Sequence, residues 1–152
     1  YDGSTSHTTS PALRDTSAWY HVVYVVNGTA GNLYLNGGST PILTISSATP
    51  WGHATGMYFG SWSESHHQFE GYMANIDFID GQALSAEYFG KTQDGIWVAK
   101  AYDGTTNEQG NATDVEYGTN GFKLTFADSG DLGKDTAPIS GNHSTANNWT
   151  NN

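Results

Sequence analysis

From Trp19 to Val26 β-branched and aromatic side chains run for eight positions with both faces apolar. That is the pattern of a strand covered on both sides, and it predicts a central sheet strand. Asn27-Gly28 supplies a turn, and Asn32–Gly38 reads as a short strand ending in a second turn, so the two runs predict a hairpin. Pro41–Ser46 and Gly56–Ser61 are weaker strand signals. In Gly71–Asp80, Tyr72, Ala74, Ile76 and Phe78 alternate with Met73, Asn75, Asp77 and Ile79, and the first set is assigned to the core. Gly95–Tyr102 predicts an edge strand carrying Trp97, and Phe122, Leu124 and Phe126 alternate with Lys123 and Thr125 as in a strand with one wet face. Only Ser85–Phe89 reads as helical, with Ser85 as N-cap and Glu87 in the first turn. Thr105–Tyr117 is polar, acidic and punctuated by Gly and Asn, which predicts a long surface loop. The predicted core is Trp19, Val23, Val25, Leu35, Phe59, Ile76, Phe78, Leu124 and Phe126.

Short strands separated by turns make an all-β, antiparallel β-sandwich with one short helix the expected architecture. The 152 residues suit a single module, 1–152, with 1–13 and 139–152 as extended arms. The chain begins at Tyr1 and has neither a secretory leader pattern nor a bilayer-length apolar run, so a processed chain or fragment without membrane insertion is expected. With no cysteine, disulfides cannot contribute. Fifteen acidic residues against five basic ones give a net charge of −10, which repels phosphate backbones and argues against nucleic acid as a partner. Charged residues make up only 13 % of the chain and its polar surface is built from Gly, Ser, Thr and Asn, as in extracellular β-proteins.

Arg14–His21, Leu33–Gly37 and above all Phe69–Leu84, with its Phe78-Ile79-Asp80-Gly81-Gln82-Ala83-Leu84 block, resemble the laminin G-like, concanavalin A-like lectin/glucanase jelly roll. Tyr117–Phe122 and Leu132–Asp135 are similar to a subgroup found in tail, fibre and other virion proteins of phages. In that family several strands precede the Trp-Tyr-His element, whereas some eighteen residues do so here. The resemblance therefore implies an incomplete jelly roll lacking N-terminal strands, with an open sheet edge. Copies of the chain, or neighbouring structural chains, would complete one another by β-strand addition, as subunits of a filament on an extracellular or virion surface. The competing expectation is a carbohydrate-binding, lectin-type module that takes glycans.

Glucanases of this fold carry two glutamates around an aspartate on one strand, and the matching positions here are Asn75-Ile76-Asp77-Phe78-Ile79-Asp80. The nucleophile's place is held by an amide, which can neither form a glycosyl intermediate nor act as a base. Asp80 alternates to the opposite face, so no catalytic residues, and no enzyme, are expected. Trp51, Tyr58, Trp62 and Tyr72 could stack on sugar rings, although the same side chains fill cores and interfaces. Asp128, Asp131 and Asp135 form an oxygen-rich segment that calcium would accept, with a solvated acidic loop as the alternative. His53, Glu64, His66, His67 and Glu70 hold metal-ligand chemistry, but adjacent histidines on a strand point to opposite faces and favour a polar loop. His21, inside an apolar strand, reads as a hydrogen-bonded core histidine. Asn27, Asn111, Asn142 and Asn148 head Asn-x-Ser/Thr triplets open to glycosylation in a glycoprotein context.

Overall fold

The computed structural model describes residues 8–9, 13–48, 59–61, 68–102, 117–118 and 120–137. The chain folds as two compact units, one of Tyr1–Gly71 with Thr92–Val98, the other of Tyr72–Lys91 with Ala99–Asn152. Among the described residues the regular structure is β-strand apart from one 3₁₀ turn, and the β1–β2, β2–β3 and β4–β7 pairings are antiparallel. All-β antiparallel structure is thus as the patterning predicts.

In the first unit β1 (Val22–Asn27) and β2 (Ala30–Leu35) pair from Val22↔Leu35 to Asn27↔Ala30. Gly28, at φ +60°, opens the two-residue turn, and only glycine takes that conformation without a steric cost. The ladder continues one step past β1, where Asn36 N–H donates to His21 O at 2.8 Å and Asn36 Oδ1 accepts from His21 N–H at 2.8 Å. β3 (Leu43–Ile45) adds to β2, and Thr44 Oγ1 donates to Asn32 Oδ1 at 3.0 Å across the pair. The Tyr24 ring and Ala48 lie over Gly31, where any side chain would collide with them. Trp97 lies on Gly37 in the same way and tilts against the His21 ring, with centroids 5.7 Å apart.

The second unit is built on β4 (Ile76–Phe78) and β7 (Phe122–Leu124), paired as Ile76↔Leu124, Asp77↔Lys123 and Phe78↔Phe122. On the far side of β7, Leu124 bridges to Asp135 and Thr136 N–H donates to Lys123 O at 2.8 Å. Tyr102, Tyr117 and Ala137 form its buried cluster, against which Ile79, Leu84, Tyr88 and Phe89 pack. Phe89–Tyr102 and Tyr102–Tyr117 ring centroids are each 5.1 Å apart, the second pair edge to face, a favoured aromatic geometry. β5 (Gly90–Gln93) and β6 (Ile96–Ala99), most of whose residues belong to the first unit, make a hairpin around Asp94-Gly95, both at positive φ, as a type I′ turn requires.

Several expectations are corrected. Of the nine predicted core residues, only Leu124 is buried. Val23, Val25, Leu35, Phe59, Ile76, Phe78 and Phe126 are half-buried, and Trp19 is 69 % exposed. Trp19 follows a turn in which Asp15 Oδ1 accepts from the N–H and hydroxyl of Ser17, so the strand's alternation starts only at Val22. Among the described residues β1 is the margin of its sheet, not the centre. The predicted strand Gly71–Asp80 contracts to three residues because Asn75 sits at φ +53°, outside the extended region, leaving Tyr72 and Ala74 exposed. Phe126, at φ +56°, likewise turns off the line of β7. The helix is a single 3₁₀ turn, Ala86–Tyr88. Ser85 stands at its N-cap without giving a side-chain cap bond. Residues 56–58 of the expected strand Gly56–Ser61, and most of the two expected arms, lie outside the described residues.

Candidate functional site

The segment Asn75–Asp80 carries the carboxylates on which glycosidase chemistry would depend, and each is already engaged. Asp77 Oδ1 accepts from the Tyr117 hydroxyl at 2.5 Å and lies 3.6 Å from Lys123 Nζ. The Asp77 and Lys123 side chains are 12 % and 13 % exposed. Lys123 Nζ also donates to Tyr102 O at 3.0 Å. Asp80 Oδ2 accepts from Asn120 twice, from the backbone N–H at 3.2 Å and from Nδ2 at 2.8 Å, while Asp80 N–H donates to Tyr117 O. Asn75 is exposed and in the left-handed region. The two aspartates therefore serve two different structural partners, and no pair of carboxylates faces a common cleft in this segment.

Burial pushes the Tyr117 phenol far above the ordinary tyrosine range, and its hydrogen bond to the Asp77 carboxylate pushes it further. The sign of the consequence follows from proton linkage. The folded chain keeps this proton at a pH where the unfolded chain has lost it, so the stabilisation is complete below about pH 10 and drains away above it. Alkaline titration of phenolate absorbance should show one tyrosine that ionises only as the protein unfolds, and Tyr117→Phe should remove that late step. An ionisation of all tyrosines before unfolding would contradict this.

Of the aromatic sugar candidates, Trp51, Tyr58 and Trp62 lie outside the described residues, and Tyr72 is 88 % exposed. Asp128, Asp131 and Asp135 do not converge, and among the described residues no group of three acidic or imidazole side chains could hold a metal ion. Asp128 Oδ1 accepts from Gly130 N–H at 3.0 Å, and its Oδ2 is 3.4 Å from Lys134 Nζ. The Gly130 bond and then Lys134 hold this carboxyl below its usual value. Asp135 Oδ1 accepts from Lys123 N–H at 3.0 Å and from Ala137 N–H at 2.9 Å, so it pins the loop end to β7. Asp131 caps the next turn through backbone bonds. The loop surrounds an open cleft of about 390 Å³ with Phe126, Asp128 and Lys134 among its lining.

Asn27 is exposed at the end of β1, whereas Asn111, Asn142 and Asn148 lie outside the described residues. His53, Glu64, His66 and His67 lie outside them as well, and Glu70 is exposed. His21 is half-buried against Trp97. The arrangement that sequence reasoning missed is Tyr102–Tyr117–Asp77–Lys123. Its signal was present in two tyrosines bracketing an otherwise polar stretch, since polar loops rarely carry aromatics unless something packs on them.

Neither a curated protein nor a solved structure matches the chain. A laminin G family model, described as the concanavalin A-like lectin/glucanases superfamily, matches residues 1–88. The match takes in the β1–β2 hairpin, β3, β4 and the 3₁₀ turn, and it starts well before the Arg14 at which the sequence motifs begin. Antiparallel strands joined by tight turns, together with a family match over more than half its length, place this chain in the concanavalin A-like lectin/glucanase superfamily.

Proposed function

We propose that the chain is a non-catalytic assembly module of an extracellular fibre or virion, built on a lectin-like fold and joined to its neighbours by strand addition. One observation carries this reading. Among the described residues, a strand whose sequence is apolar on both faces stands at the margin of its sheet, with Val22 51 % exposed and Trp19, just before it, 69 % exposed. β1 bears no charge and no proline, the usual guards of a sheet margin, so it is suited to main-chain pairing with a strand of another copy. Head-to-tail pairing of this kind runs on into a filament unless the rotation closes a ring.

Light scattering on the purified chain at micromolar concentration is expected to show assemblies. Val22→Lys, which places a charge on the exposed margin, should weaken association at least about tenfold, or ~1.4 kcal/mol, with the circular dichroism unchanged. A chain that stays monomeric at every concentration would remove the reading. Absence of glycosidase activity belongs to the same proposal and is supported by Asn75 in the nucleophile's place and by the engaged Asp77 and Asp80. No turnover of laminarin or agarose is expected, and turnover abolished by Asp80→Ala would reverse this part.

Tyr72, at 88 % exposure, favours a second reading as a carbohydrate-recognition module, since an exposed aromatic face is what a sugar ring stacks on. A monomer that binds a glycan on an array, and loses it with Tyr72→Ala, would promote that reading over assembly.

A further inference from the structure

Lys123 and Asp77 face each other across the β4–β7 pair, and the bonding on either side shows how closely. Lys123 gives its backbone N–H and C=O to the Asp135–Thr136 side, to Asp135 Oδ1 and Thr136 N–H, not to β4. Asp77↔Lys123 is therefore the non-hydrogen-bonded kind of cross-strand pair, in which opposed side chains come nearest. Both side chains are nearly withdrawn from water and sit beside the Tyr102–Tyr117 cluster, with Nζ 3.6 Å from Oδ1. Two further contacts fix the pair. Tyr102 O receives Nζ at 3.0 Å, and the Tyr117 hydroxyl donates to Asp77 Oδ1 at 2.5 Å.

We propose that Lys123 and Asp77 are the two ends of an intramolecular amide cross-link that welds β4 to β7. A proton passes from the ammonium to the carboxylate within the pair, giving a free amine and a carboxylic acid. Nζ then adds to Cγ of Asp77, the new N–C bond forms, the C–OH bond breaks, and the hydroxyl leaves with an amine proton as one water. Nothing is oxidised or reduced, and no co-reactant is required. The Tyr117 hydroxyl is aimed at the oxygen on which negative charge collects during addition, the task of an oxyanion donor. The Tyr102 carbonyl holds Nζ in place, so the two reactants are positioned before reaction. Condensation replaces two charges that are costly to keep away from water with a neutral amide, and the same exclusion of water protects the product from hydrolysis. In a chain with no cysteine this is a covalent staple made from other side chains.

The decisive measurement is the intact mass of the denatured full chain, which is expected to be one water lighter than its sequence. Trypsin should yield a branched species that joins the peptide holding Asp77 to the one holding Lys123 and is uncut at Lys123. Lys123→Arg, which keeps the charge, and Asp77→Ala should each restore the full mass. Tyr117→Phe should slow formation by about a hundredfold, the scale of losing one oxyanion donor, read as loss of one water with time in freshly synthesised chain. A full sequence mass for the unaltered protein overturns the proposal. So does a missing water that maps to Asp80-Gly81 or Asp94-Gly95 and returns in mild alkali, the mark of a succinimide.

Discussion

Phe122→Ala is expected to cost the second unit about 3–5 kcal/mol, the usual range for a buried aromatic cut back to alanine. Phe122 is 5 % exposed, and its ring stacks on Phe78 with centroids 5.2 Å apart. Truncation removes the ring's own burial and strips one face from Phe78, whose strand pairs with that of Phe122 over only three residues. Against a total stability of about 5–15 kcal/mol for an ordinary domain, this loss is a large fraction of the whole. Phe78→Ala should cost less, because Phe78 is only half-buried. Urea unfolding followed by tyrosine fluorescence orders the two variants, and a larger loss at Phe78 than at Phe122 would mean that the faces of this pair are assigned the wrong way round.

Gly121→Ala is expected to rival it by the opposite route, through crowding. A Cβ at this position would fall inside the van der Waals envelope of the Tyr117 carbonyl and 2.8 Å from Phe78 O. Both obstacles are backbone, and both lie in segments held by hydrogen bonds, so neither can rotate away as a side-chain tip could. Forced insertion into a packed site typically costs about 1–3 kcal/mol, and with rigid backbone on two sides the upper end applies. Gly95→Ala makes the control, since a Cβ there meets nothing and the whole cost is the left-handed φ of +79°, about 1 kcal/mol. Equal losses at Gly121 and Gly95 would show that the backbone around Gly121 yields more than the packing implies.

The β1–β2 hairpin was legible because its signals agree: an uninterrupted β-branched run, a glycine where a positive φ is needed, and a second run of matching length. The type of the β4 and β7 segments was legible too, but their extents were not. Asn75 and Phe126 take left-handed conformations that end each strand early, and nothing in a period-two pattern announces them. β5, Gly90–Gln93, escaped notice because a polar strand on a hairpin owes its form to the Asp94-Gly95 turn, not to burial. Trp19 misled because large apolar residues were counted as core, although much of any protein surface is apolar. At the candidate site the carboxylates and the substituted Asn75 could be read directly. Which partners hold Asp77 and Asp80 could not, because Tyr117, Asn120 and Lys123 reach them across about forty residues of chain.

That same separation sets the order in which the molecule can form. The first hairpin closes a two-residue turn, a local event on the order of microseconds. Among the described residues the partner of Ile76–Phe78 is Phe122–Leu124, made about forty residues later, so the entropy of closure must be met before this contact returns it. During synthesis the β4 side chains and Tyr102 are made before β7 and Tyr117, the partners that pack on them in the folded chain. Association between nascent chains would begin in that interval, before β7 emerges to cover them.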